Sequence, residues 1–175
     1  MIKRWDNRTL LLIVIVAVAM AACARAQSSQ TTTDRTIHYE PGDVDLLLPW
    51  GWKEKREDAK LILQPPDASV KLIFFAPAQR GMEAGMAEVN KTVSNRKNTG
   101  VDMRGTKIAD QMQVQNYYGT GEVEGHQVRW MMTLVDKNTF EEPRLAALTF
   151  GDANGFESNL PTVMRILNGL RRIKR

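Results

Sequence analysis

Four stretches of alternating polar and apolar residues, 107–114, 116–123, 127–135 and 144–150, follow one another closely in this chain. A period of two sends successive side chains to opposite faces of a strand. Glu124-Gly125-His126 is a tight-turn signal, and 136–143 reads as a longer polar loop. Strands joined in this way pair antiparallel. The chain must therefore build an antiparallel sheet and find apolar cover for it. Gly119 and Gly121 fall inside the second stretch. More strand follows them instead of a helix, so they mark a twist or a close approach, not a dinucleotide loop.

The flanking sequence supplies further strands and the cover. Residues 44–48, VDLLL, read as a short strand ended by Pro49-Trp50-Gly51-Trp52. The charged residues 53–60 are expected to face solvent. Residues 61–64 and 69–77 form a hairpin across Pro65-Pro66-Asp67-Ala68. Val70, Leu72 and Phe74 share one face of its second strand, and Ile73 with Phe75 on the other face predicts burial from both sides. Met82, Met86, Val89 and Val93 make one helical stripe, which predicts a helix over 80–97 closed by Asn98-Thr99-Gly100. A closing helix follows from Leu160, Val163, Leu167 and Leu170, with Ile166 and Ile173 beside the stripe. Ser158 or Asn159 is its expected cap, with Pro161 in its first turn. Strands, helix, strands, helix is the order of an α+β domain: an antiparallel sheet with two main helices packed on it.

The first 22 residues stand apart. Lys3, Arg4 and Arg8 outnumber Asp6, and 13 uncharged, mostly apolar residues run from 10 to 22. A bilayer-crossing helix needs about 20 such residues, so the run suits a cleaved secretion signal. Cleavage after Ala24-Arg25-Ala26 leaves Gln27 first. Cleavage before Cys23 makes Met20-Ala21-Ala22-Cys23 a bacterial lipobox, with Met20 where leucine is usual. An uncleaved anchor is the third reading. Cys23 is the only cysteine, so it has no intramolecular disulfide partner, and it lies where a diacylglycerol and a palmitate would be attached. The lipobox reading divides the chain into a signal peptide (1–22), a lipidated cysteine with a polar, flexible tether (23–35) and one domain (36–175). Twelve residues of tether, 24–35, reach at most about 40 Å. Ala24, in place of the aspartate that retains lipoproteins at the inner membrane, favours the outer membrane, with the domain facing the periplasm. Simple secretion is the alternative.

The leader removes three basic and one acidic side chain, so residues 23–175 carry 21 basic and 19 acidic ones. That balance gives no argument for nucleic acid. The one basic cluster, 171–175, reads as favourable charge at a helix C-terminus and a frayed tail, with anionic headgroups as the sharper reading.

Taken together, LLLPWGW, a hairpin, a helix, then GTGEVEGHQVRWMMTLV, LAALTF and FESNLPTVMRILNGLRRI resemble the PsbP-like superfamily over about 37–173. These are small α+β domains found in a photosystem II subunit, in Ran-binding proteins and in bacterial envelope lipoproteins. The resemblance implies a binding scaffold, with Trp52 a core residue, and carries over no catalytic set.

The residues themselves give little chemistry. His38 and His126 are far apart, and no short-spaced metal-ligand pair exists. No serine lies in G-x-S-x-G. Glu122 and Glu124, two apart, would share a solvated face with Arg129 as a surface partner. No cofactor and no metal are expected. The expected function is a non-enzymatic, membrane-anchored lipoprotein whose domain binds a protein partner through Trp50, Trp52 or the loop 136–143. The alternative is a carrier or sensor of a small apolar or lipid ligand, held in a cleft lined by Met82 and Met86.

Overall fold

A computed structural model describes residues 33–77, 81–107, 112–136 and 145–173. Cys23, the rest of 1–32 and residues 137–144, which hold most of the expected loop 136–143, lie outside the described residues. Strands β1 (Arg35–Tyr39) and β2 (Val44–Leu48) are joined by a short 3-10 turn, Glu40–Gly42. They are followed by β3 (Lys53–Glu57), β4 (Lys60–Gln64), β5 (Val70–Phe75) and helix α1 (Gly81–Thr92). Then come β6 (Ser94–Lys107), β7 (Gln113–Val123), β8 (His126–Asp136), β9 (Leu145–Gly151), helix α2 (Ala153–Asn168) and β10 (Arg171–Arg172).

Seven strands form one sheet in the order β3-β4-β5-β9-β8-β7-β6, and β1-β2-β10 form a smaller one. Every pairing is antiparallel. The α+β class with an antiparallel sheet and two main helices holds.

Alternation along the central strands makes two cores. Leu72, Phe74, Met131, Val135 and Leu145 face α2 (Phe156, Val163, Ile166, Leu167) and the small sheet (Ile37, Tyr39, Leu46, Leu48). Ile73, Phe75, Trp130, Met132, Leu134 and Leu148 face the opposite side with Val89 of α1 and Val93. Burial of β5 from both faces is as the alternation predicts. Each large apolar side chain so buried contributes about 1.5–3 kcal/mol.

Several boundaries differ from expectation. Helix α1 stops at Thr92, not near 97, and Asn98-Thr99-Gly100 is strand instead of a cap. Val93 still donates its N–H to the Val89 carbonyl at 2.8 Å, after which Asn95 takes φ 47 and the chain becomes β6. Pairing with β7, from Ser94↔Glu122 to Lys107↔Gln113, overrides the helical tendency there. Of the expected strand 107–114, Lys107 ends β6 and Gln113 and Val114 open β7, while 108–111 lie outside the described residues. Residues 53–57 are an exposed edge strand. Helix α2 starts at Ala153, capped by Asp152 instead of Ser158 or Asn159. Pro161 therefore lies inside the helix. Arg171 and Arg172 are not a frayed tail: they pair with Asp45 and Val44 of β2.

Candidate binding surface

The β2–β3 corner is built by a tight turn. The Trp52 N–H donates to the Pro49 carbonyl at 3.1 Å, and Gly51 has φ 82. Positive φ at the third turn position favours glycine. A Cβ on Gly51 would also approach Pro66 Cγ at 3.3 Å. The second turn position projects outward, so Trp50 is 65% exposed. Trp52 turns inward and is partly buried against the α2-side core. Leu47, on the outer face of β2, is 43% exposed. It and Trp50 are the exposed large hydrophobics among the described residues.

An open cleft of about 390 Å³ lies where β4, β5, β7, β8 and β9 end. Its lining includes Gln64, Ser69, Lys71, His126, Gln127 and Phe150. The Lys71 ammonium lies 5.6 Å from the Phe150 ring centroid, within cation–π range. His126 opens β8 after a two-residue turn in which Glu124 and Gly125 have φ 52 and 81, the geometry that Glu-Gly supplies in a hairpin. Glu124 is thus in the turn, and it does not share a strand face with Glu122. Glu122 accepts instead from Gln127 Nε2 at 2.6 Å and Asn95 Nδ2 at 2.8 Å. Arg129 pairs with Glu157 of α2 and not with Glu122 or Glu124.

Beside the cleft, Asp67 accepts from the Ser69 N–H at 3.1 Å and from its hydroxyl at 2.8 Å. The Ser69 hydroxyl and N–H hold the Asp67 carboxyl below its ordinary range. Asn159 Nδ2 donates to the same hydroxyl at 3.0 Å, so Ser69 fastens the β4–β5 turn to α2. Asp152 accepts from the N–H groups of Asn154 and Gly155 at 2.9 and 2.8 Å, so the helix N-terminus is occupied by its own carboxylate. These bonds fasten the rim of an opening lined by Lys71, the carboxylates Glu124 and Asp152, amide groups and the Phe150 ring. Such a surface suits binding.

The two methionines fare differently. Met82 lies on α1, but its side chain is outside the described residues. Met86 is partly buried against the α1-side core. A Cβ on Gly85 would lie 2.2 Å from Met132 Sδ, so α1 and β8 are in close contact at the next residue. A second cavity, about 10 Å³ between Val44, Met112, Val135 and Leu145, has room for roughly one water. Neither cavity is lined by Met86. His38 Nδ1 lies 2.5 Å from Asp45 Oδ1 across the small sheet and is exposed. Among the described residues no group of three or more His, Cys, Asp or Glu is arranged to hold a metal. No described helix is long and apolar enough to cross a membrane. Sequence reasoning missed the cleft because its residues come from five strand ends. Only the Glu124-Gly125-His126 turn announced itself.

Comparison with solved structures identifies the architecture. The solution structure of cyanobacterial PsbP (CyanoP) from Synechocystis superposes with a TM-score of 0.55 at 6% identity, covering 83% of this chain and 96% of that one. The Saccharomyces cerevisiae Ran-binding protein Mog1p superposes with a TM-score of 0.53 at 7% identity, covering 82% and 97%. No family profile and no curated protein sequence matches the chain. The fold is therefore PsbP-like, at an identity that fixes the fold alone.

Proposed function

We propose that this chain is a non-enzymatic lipoprotein of the bacterial cell envelope, anchored through lipid on Cys23, with its PsbP-like domain binding a protein partner in the periplasm. The observation that carries the reading is the sequence at 20–23, where Met-Ala-Ala-Cys closes a 13-residue apolar run and supplies the only cysteine. Ala24 favours the outer membrane. The shared fold with a Ran-binding protein supports a protein partner. The cleft around Phe150, rimmed by Lys71, His126 and Gln127, is the surface offered to it.

Fractionation tests the anchor. Wild type is expected with the membranes, and Cys23→Ala in the soluble periplasmic or secreted fraction. An unchanged distribution, with no acyl mass on the wild-type protein, contradicts the anchor. A photo-crosslinking residue at position 127, in the cleft, tests the partner surface against one at the exposed position 90 on α1. A discrete adduct from 127 alone is expected. Equal yields from both positions contradict the assignment of the cleft.

A further inference from the structure

We propose that the corner carrying Leu47 and Trp50 docks on the phospholipid surface, seating the domain beside its own anchor. The proposal takes from the anchor reading only the reach of the chain.

The two exposed large hydrophobics of the described residues are three positions apart, at the end of β2. Trp50 stands at the tip of a tight turn and not in a groove. An isolated indole on a projecting turn fits the headgroup layer, where its apolar body and its N–H are both satisfied. A protein hot spot would instead sit central to a broad apolar patch.

The strand register brings the N-terminal chain to the same place. Arg35 is opposite Leu48, so the chain running back toward Cys23 leaves the domain beside Pro49 and Trp50. Residues 24–35 reach at most about 40 Å. A lipid on Cys23 therefore keeps this corner, more than any distant surface, near the bilayer.

The charges at the corner agree. Arg35 pairs with Glu54 at 2.7 Å, and Arg165 of α2 pairs with Asp34 at 3.2 Å. Arg56 also reaches Glu54, at 3.8 Å, so that one carboxylate meets two guanidinium groups; exposed Lys53 adds to the positive balance, and Arg171 lies opposite Asp45 two positions along β2 from Leu47. Net positive charge at this edge suits anionic headgroups.

The test is tryptophan quenching by lipid. The protein recovered from cells is mixed with excess phosphatidylethanolamine–phosphatidylglycerol vesicles, with and without bromine on the acyl chains. Beyond the leader the chain has Trp50, Trp52 and Trp130. Brominated vesicles are expected to dim wild type and shift its emission to the blue. Trp50→Phe is expected to lose most of both effects, and lipid is expected to shield wild type from aqueous iodide. Equal dimming of both proteins, or wild-type emission still open to iodide, overturns the docking and leaves a protein partner as the occupant of Trp50. Fractionation of Cys23→Ala reads the anchor separately. If Cys23 carries no lipid, the same quenching outcomes still decide the docking.

Discussion

At the scale of single residues, two glycines sit in close contact with a neighbouring strand, with different consequences. A Cβ on Gly119 would lie 2.2 Å from Trp130 Cζ2 and 2.5 Å from the Lys97 carbonyl oxygen. The indole donates to the Thr120 carbonyl at 3.1 Å and is buried, so it has no room to yield. Gly119→Ala is expected to cost about 1–3 kcal/mol in urea unfolding followed by circular dichroism. The nearest contacts of a Cβ at Gly85 are on the flexible Met132 side chain, and alanine gains helix propensity, so Gly85→Ala should cost clearly less in the same measurement. Equal losses would contradict this account of the two sites. Tyr39 makes a different prediction. Burial raises its hydroxyl from the ordinary 10.0 to about 12, and it donates to the Ala59 and Phe74 carbonyls. The protonated form is the one the fold favours. Its stabilisation is complete below pH 10 and is lost as the pH rises toward about 12. Tyr39→Phe should therefore be less stable near neutrality and show a shallower loss of stability across that alkaline window. An unchanged slope would contradict it. Residue identity gave partial warning of these roles. A glycine inside a strand pattern signals close approach, but which ring it meets follows from the Gly119↔Trp130 register, which the sequence does not state.

At the scale of elements, strands with one or two buried faces were legible, and edges were not. Strands β5, β8 and β9 announce themselves by buried alternation or apolar runs. KEKRE in β3 and SNRKNTGVDMRGTK in β6 have no such pattern, because an edge strand is held by its ladder on one side. Their charges, and the three register shifts between β6 and β7, discourage pairing with another chain. The start of α2 was misplaced for a related reason. Its apolar stripe was read from Leu160, whereas Phe156 and the Asp152 cap begin it earlier. Pro161 thereby sits more than two turns inside, exposed and without an N–H for the Glu157 carbonyl. Interior proline costs helices about 3 kcal/mol. Pro161→Ala is expected to raise the unfolding midpoint by part of that amount, read by thermal melting. A fall would mean the proline-shaped helix is needed for packing.

At the scale of the whole molecule, the sequence specifies a sheet covered on both faces, and the structure divides that cover between α1 on one side and α2 with the small sheet on the other. The small sheet was only half legible. The sequence pattern marks β2, but it places Arg35 of β1 in the tether and reads 171–175 as charge at a helix C-terminus with a frayed tail. That sheet places Arg35, the start of β1, opposite Leu48 at the Trp50 corner, so the strand least visible in the sequence is the one that meets the proposed tether. The candidate cleft, gathered from five strand ends, was likewise beyond a linear reading.

The central claim is that Cys23 is a lipid attachment site. Its most direct test is the intact mass of the protein recovered from cells, beside Cys23→Ala. The account predicts a chain beginning at Cys23 and carrying acyl mass that the variant lacks. A chain beginning at Gln27, with no lipid, would contradict it.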